Sequence, residues 1–288
     1  MPERADLPSR LRTIYNQFTP AEKKVADYIL ANPHEVLFQS ITELADACGV
    51  GETSVFRFCR TVGLRGYQEF KMQLSLGLSR TGQTEDGDGP TGDISRQDSL
   101  SAVIRKLLRH SEEVLEETAA LVIQADLERA VELLTQARRI LFFGVGASLT
   151  AALTAHSKFL RIEPKVLCVN DAHMQAMVAA TTGPEDVAVV FSYSGSTMDT
   201  NSVAKLVKQN GAAVIAVTRF RKSPLTEFTD IALLYGVKES PLQGGSSSAA
   251  ICQAFLVELL YTEYFRRNYD RCSNYIQTTS ASVLDKLY

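Results

Sequence analysis

The sequence predicts an α/β protein in which an all-α N-terminal domain precedes a three-layer α/β/α domain with a five-stranded parallel sheet. Three observations lead there. Apolar residues in the first 78 positions recur with helical spacing. A polar stretch at residues 79–99 holds four glycines, a proline and five acidic residues, and almost nothing apolar. Beyond it, short β-rich runs alternate with helix-length segments, the pattern of a parallel sheet covered on both faces. The expected organisation is a helical domain at 1–78, a flexible linker at 79–99 and an α/β domain at 100–288. A long surface loop is the other reading of 79–99, although structureless loops of that length are uncommon inside compact domains.

Start and stop signals define the N-terminal helices. Thr19-Pro20-Ala21-Glu22 places a cap residue, a first-turn proline and a first-turn acid, and Val25, Tyr28 and Ile29 supply the apolar stripe up to Asn32-Pro33. Ser40 followed by Glu43 is a capping box, and Ile41, Leu44, Ala45 and Cys48 form the apolar face behind it. Gly49-Val50-Gly51 then makes a turn, and a second helix begins near Glu52 with Val55, Phe58 and Cys59 facing inward.

That is helix-turn-helix spacing. The outer face of the second helix presents Thr53, Ser54, Arg57 and Arg60, where a recognition helix would meet base edges in a major groove. From Arg57 to Arg80 there are five basic residues (Arg57, Arg60, Arg65, Lys71, Arg80) against one acid, Glu69, so a local field suited to phosphates arises on a chain of net charge −3. Phe56 either packs on a neighbouring helix or touches a thymine methyl. The spacing alone also fits a helical interaction module that binds no nucleic acid. FTPAEKKVADYIL and SITELADACGVGETSVFRFCRTVGLRGYQEFK, within residues 8–78, are similar to the N-terminal domain of RpiR-type bacterial transcription regulators. The resemblance implies a double-stranded DNA operator as partner, read through Thr53, Ser54, Arg57, Arg60, Arg65 and Lys71.

In the second half, two amphipathic helices are expected over 100–138, the second capped by Asp126. Strands follow at 140–145, 165–169, 186–192, 213–218 and 231–237, with helices at about 148–161, 171–182, 196–210 and 248–267. Two strand-to-helix loops carry chemistry. Gly144-Val145-Gly146-Ala147-Ser148 has Leu149 where a dinucleotide fingerprint needs a third Gly or Ala, and no Lys for a Walker loop, which leaves a turn suited to a single anion. Ser192-Tyr193-Ser194-Gly195-Ser196-Thr197 crowds hydroxyls at a helix start, which is either an ordinary cap or a phosphate cradle. The pair of loops, with Thr218 and Ser223-Pro224-Leu225, resembles the sugar isomerase (SIS) domain over about 125–275. That resemblance implies phosphosugar binding by Ser148, Ser192, Ser194, Gly195 and Thr197, with Gly146 in the first loop. Asn170, Asp171 and His173 either reach sugar hydroxyls or, for the first two, cap a helix, and residues 244–248 are a ligand wall or a plain loop.

Composition narrows the function classes. With 45% hydrophobic residues a buried core is available, and no run approaches the roughly 18–20 apolar residues of a bilayer span. MPERADLPSR is no secretory signal, so a cytoplasmic protein without a membrane partner is expected. Five scattered cysteines and four histidines show no metal or disulfide spacing, and neither metal nor cofactor is called for. The combined reading is a transcription regulator of carbohydrate metabolism, tuned by a phosphosugar effector and acting as a homodimer or dimer of dimers. The alternative is a phosphosugar aldose–ketose isomerase with a helical appendage, its base drawn from Glu239, Glu258, His156 or His173.

Overall fold

The computed structural model describes residues 7–80, 94–237, 241–243 and 247–284. Residues 81–93 of the expected linker, Glu239 and residues 244–246 lie outside the described residues. Contacts group the described residues into two units, one of 7–80, 94–110 and 241–243 and the other of 111–237 and 247–284.

The first unit is helical: α1 (Leu7–Ile14), α2 (Pro20–Ala31), α3 (Pro33–Leu37), α4 (Ile41–Cys48), α5 (Glu52–Thr61) and α6 (Tyr67–Arg80). Both expected starts are capping boxes, Thr19 with Glu22 and Ser40 with Glu43. Asn32-Pro33 ends α2 as expected, and Pro33 then opens the short α3, where a missing N–H costs nothing. Gly49 closes α4 at φ +60, the left-handed turn that a side chain would resist. A run of rings, Phe18 on Phe58 (5.2 Å) and Phe58 on Phe70 (5.6 Å), joins α5 and α6 through the core. The buried Glu22 carboxylate accepts from the Thr19 N–H (2.8 Å) and from the Thr61 hydroxyl (2.7 Å), so one side chain starts α2 and holds the end of α5.

The helix α7 (Leu100–Leu121) crosses the boundary between the units, and α8 (Gln124–Gln136) follows it. Asp126 is not the cap of α8. Ile123 occupies that position, and Asp126 sits in the first turn, where its charge complements the helix dipole.

The second unit then alternates β1 (Arg139–Phe143), α9 (Ala147–Leu160), β2 (Val166–Cys168), α10 (Ala172–Ala180), β3 (Asp186–Phe191), α11 (Met198–Gln209), β4 (Ala213–Thr218) and β5 (Ile231–Leu234). It finishes with α12 (Ser247–Arg267) and α13 (Tyr269–Ala281), the latter unforeseen in the sequence. The strands form one parallel sheet in the order β2-β1-β3-β4-β5, with Phe142 opposite Val189 and Val189 opposite Ile215. Every residue of β3 is buried, as its unbroken apolar run requires. Alternate side chains feed two cores. Phe142, Val189 and Ile215 pack with α8, α9 and α12, whereas Phe143, Val190 and Ala216 pack with α10 and α11. The last helix is fastened by Glu163, whose buried carboxylate accepts from Tyr264 and is ion-paired with Arg271 (3.2 Å).

At the N-terminal edge of the sheet, buried Asp186 accepts from Arg139 Nη2 (2.7 Å), Arg138 Nη2 (3.0 Å) and the Gly183 N–H (3.0 Å). Burial alone would raise this carboxyl, but the Arg139 and Gly183 hydrogen bonds and the nearby guanidinium charges hold it below the usual carboxylate range. Asp186→Asn should destabilise the protein at pH 7 by about 2 kcal/mol, less than for a fully buried pair because both arginines reach water. A carboxyl lowered by folding contributes above its unfolded pKa and loses that contribution as pH falls through its folded pKa. Urea unfolding of both proteins at pH 7 and pH 3 should therefore give a stability gap that narrows on acidification.

Candidate DNA face and anion crevice

On the helical unit, α4 and α5 form the two helices of the predicted motif, linked by contact between Thr42 and Glu52 at the start of α5. Val55, Phe58 and Cys59 are buried, and burial pushes the Cys59 thiol up to about 12, so it is an inert part of the core. The opposite face of α5 leaves Thr53, Arg57 and Arg60 exposed and Ser54 half-buried, and Arg65 is exposed in the following turn. Lys71 is a correction to the sequence reading. It is buried, its ammonium donates to the Gln39 carbonyl (3.1 Å) and lies 5.1 Å from the centre of the Tyr67 ring. Its helical register turns it into the core, where it fastens α6, and not outward to phosphates. Phe56 lies with its ring edge 3.5 Å from where a β-carbon on Gly66 would stand, yet remains 47% exposed.

On the sheet unit, the strand order sets the second site. β1 lies between β2 and β3, so the chain leaves β1 toward α9 on one face and leaves β3 toward α11 on the other. Between the ends of these neighbouring strands a crevice opens at the carboxyl edge, the place where open α/β sheets bind ligands. The loops at 144–148 and 192–197 therefore share one rim. The N-cap of α9 is Gly146 and that of α11 is Thr197, neither with a side-chain cap hydrogen bond, so the first N–H groups of both helices are left without a side-chain acceptor.

The individual side chains are placed as follows. Ser148 is half-buried in the first turn of α9. Ser192 is 2% exposed, and its hydroxyl has no hydrogen-bond partner among the described residues. Ser194 Oγ accepts from the Ser196 N–H (3.2 Å), and the Ser196 hydroxyl donates back to the Ser194 carbonyl (3.1 Å), which shapes the loop as a tight local turn. Gly195 has φ +60, and a β-carbon there would lie 2.1 Å from Ser223 Oγ, so only glycine fits. Its carbonyl is gripped by the Leu225 N–H (2.9 Å) and Asn201 Nδ2 (3.2 Å).

Asp171 caps α10 by accepting from the Met174 N–H (3.0 Å), so of its two readings the structure contains the cap. His173 is exposed on the first turn of the same helix. Sequence reasoning missed Gln175. This buried side chain donates to the carbonyls of Gly144 (2.8 Å) and Val169 (3.0 Å) and ties the end of β1 to the end of β2. A lone glutamine inside an alanine- and methionine-rich helix gave no signal of that role. Among the isomerase bases, His156 lies nine residues into α9, about 14 Å along its axis from Ala147. Glu258 is paired with Lys158 at 2.6 Å.

Residues 6–81 match the helix-turn-helix domain of the rpiR family, and residues 133–263 match the SIS domain. An HTH-type transcriptional regulator of Haemophilus influenzae is 36% identical over 278 residues, 96% of either chain. The regulator HexR of Pseudomonas aeruginosa is 36% identical over 228 residues, 79% of this chain and 78% of that protein. Among solved structures, Vibrio vulnificus NanR complexed with ManNAc-6P superposes with a TM-score of 0.85 at 30% identity, covering 98% of this chain and 99% of NanR. The SIS domain of an RpiR factor from Sphaerobacter thermophilus, at 18% identity and TM-score 0.57, shares the α/β fold. With a helix-turn-helix unit ahead of a five-stranded parallel SIS sheet, and near-full-length relatives that regulate transcription, the chain belongs to the rpiR family of transcriptional regulators.

Proposed function

We propose that this chain binds operator DNA through α5 and that a phosphorylated sugar in the crevice between β1 and β3 sets the affinity of that binding. The observation that carries the proposal is the meeting of two hydroxyl-bearing, uncapped helix starts at one switch point of the sheet. Neutral hydroxyls and amides at helix starts are suited to one phosphoryl group. Ser148, Ser194 and Thr197 would donate to it, Ser192 supplies an unused buried hydroxyl, and Gly146 and Gly195 let the backbone approach. His173 stands at the rim for a sugar hydroxyl. The ManNAc-6P complex of NanR supports the phosphosugar class.

Regulation without turnover is the reading favoured over isomerisation. His156 lies too far along α9 to reach a ligand at its start and Glu258 is ion-paired with Lys158, which leaves His173, exposed on the first turn of α10, as the base that a turnover assay tests. A cytoplasmic site of action follows from the DNA target, and among the described residues no helix is long and apolar enough to cross a membrane. One helix-turn-helix makes few base contacts, so two copies acting on a palindromic site are expected. Leu100, Ile104 and Leu108, all exposed on one stripe of α7, support such a dimer.

Arg57→Ala and Arg60→Ala should each weaken operator binding by ~1–3 kcal/mol in a gel-shift or anisotropy titration while leaving sugar-phosphate affinity unchanged. Unchanged DNA affinity would mean that α5 is not the reading helix. Ser148→Ala with Ser194→Ala should abolish the rise in melting temperature that a bound phosphosugar gives by mass action, without loss of fold by circular dichroism. Gly195→Ala should do the same and in addition cost about 1–3 kcal/mol of stability, from a strained φ and contact with Ser223. Sustained aldose–ketose turnover by the wild-type protein would overturn the regulator reading. In sedimentation, Ile104→Glu with Leu108→Glu should reduce a dimer to monomers and weaken DNA binding.

A further inference from the structure

Phe56 is the one exposed residue of α5 whose side chain can neither give nor take a hydrogen bond. Thr53, Phe56, Arg57 and Arg60 are all exposed, and offsets of three, four and seven residues set them on one stripe of the helix. Val55, Phe58 and Cys59 fill the core behind that stripe, whereas Phe56 belongs neither to the core nor to the half-buried residues packed on it. Helix propensity does not call for phenylalanine at an exposed position, where lysine, glutamine or glutamate serve better. A lone exposed apolar residue is ordinary on a protein surface, so its neighbours decide its meaning.

Here the neighbours are those of a groove reader. At 1.5 Å per residue the stripe from Thr53 to Arg60 is about 10 Å long, which faces about three base pairs at 3.4 Å each. Phe56 stands at its middle, with Arg57 and Arg60 beside it and Arg65 exposed in the turn that follows α5. One edge of the ring is backed by Gly66 of that turn, and the rest of the side chain faces solvent. A ring with two torsions, already backed on one side, gives up little freedom on contact. The basic flank favours a polyanion over an apolar protein partner. Among the groups that base pairs present in a major groove, the apolar one is the C5-methyl of thymine.

We infer that Phe56 is a specificity-determining residue of the DNA face, and that it reads the methyl group of a thymine at one position of each half-site. This rests on the reading of α5 as the helix that enters the groove. It adds a selection that the arginines cannot make, since a guanidinium pairs best with the acceptors of guanine. Of the two alternatives for Phe56, packing and thymine contact, the ring serves both: its backed edge meets Gly66 and its open side meets the base.

Duplexes that the full chain selects from a random-sequence library provide the probe. Replacing each thymidine of the selected duplex in turn by deoxyuridine removes a methyl group and nothing else. At one position per half-site the wild-type affinity in an anisotropy titration should fall about fourfold, the worth of one buried methyl group. Phe56→Ala should bind the thymidine and deoxyuridine forms of that position alike, while keeping the wild-type response to deoxyuridine elsewhere. Phe56→Leu, which retains an apolar group, should keep part of the thymidine preference. Both variants should unfold in urea as the wild type does, because the ring lies outside the core. A selected sequence without thymine, a wild type indifferent to every replacement, or a penalty that Phe56→Ala preserves overturns the methyl contact. Each of these leaves α5 as the reading helix so long as Arg57→Ala and Arg60→Ala weaken binding. If those two substitutions leave binding unchanged, the α5 reading itself falls and takes this inference with it.

Discussion

The position of β1 between β2 and β3 is the constraint on which the sheet unit depends. Because neighbouring strand ends send the chain to opposite faces, no helix covers the gap between them, and a hollow at the carboxyl edge is unavoidable. Apolar burial makes that order rigid. Phe142, Val189 and Ile215 belong to one core, while Phe143, Val190 and Ala216 belong to the other. A one-residue slip of β3 would exchange its contributions to both cores at once, so the register, and with it the height of the two loops, is closely fixed. Polar side chains then finish the edges: Asp186 gathers the N-terminal edge, and Gln175 bridges the strand ends at the carboxyl edge.

The helical unit solves a different problem, since it must keep a polar helix face exposed while anchoring the helix behind it. Its means are local and economical in residues. The carboxylate of Glu22 completes the cap of α2 and holds Thr61 at the end of α5, so the helix that presents Arg57 and Arg60 is fixed to the helix behind it. Burial alone would raise this carboxyl, but the Thr61 and Thr19 hydrogen bonds together with the Arg57 charge lower it, so Glu22 is held ionised in its place. Lys71 shows the other side of the same economy, a cation spent on the Gln39 carbonyl and the Tyr67 ring in the interior. Charge counted along the chain therefore overstates the charge that faces outward.

Electrostatics divides the crevice in a comparable way. Hydroxyls and amides suffice where the ligand charge is to be matched by dipoles, and they leave no buried cation to be desolvated when the site is empty. Outside the two loops, the half-buried Arg219 guanidinium is oriented by Tyr193 and Phe220.

Much of this was legible in the sequence, and the reasons differ by element. Caps and turns are local chemistry, so Thr19 with Glu22, Ser40 with Glu43 and the left-handed Gly49 could be read directly. Strands buried on both faces announce themselves as unbroken apolar runs, and the five runs became the five strands. The two loops were visible as motifs, but their sharing of one rim depends on strand order, which no local pattern encodes. The inward turn of Lys71, the bridging role of Gln175 and the bracing of Arg219 were likewise decided by tertiary structure. Each depends on a partner distant in the chain or on which of several possible acceptors lies within about 3 Å. The sequence determined which segments fold and what chemistry each loop carries, because both follow from short-range spacing. Only the packed structure decided which of those groups meet, because that follows from how the sheet and its helices close around their cores.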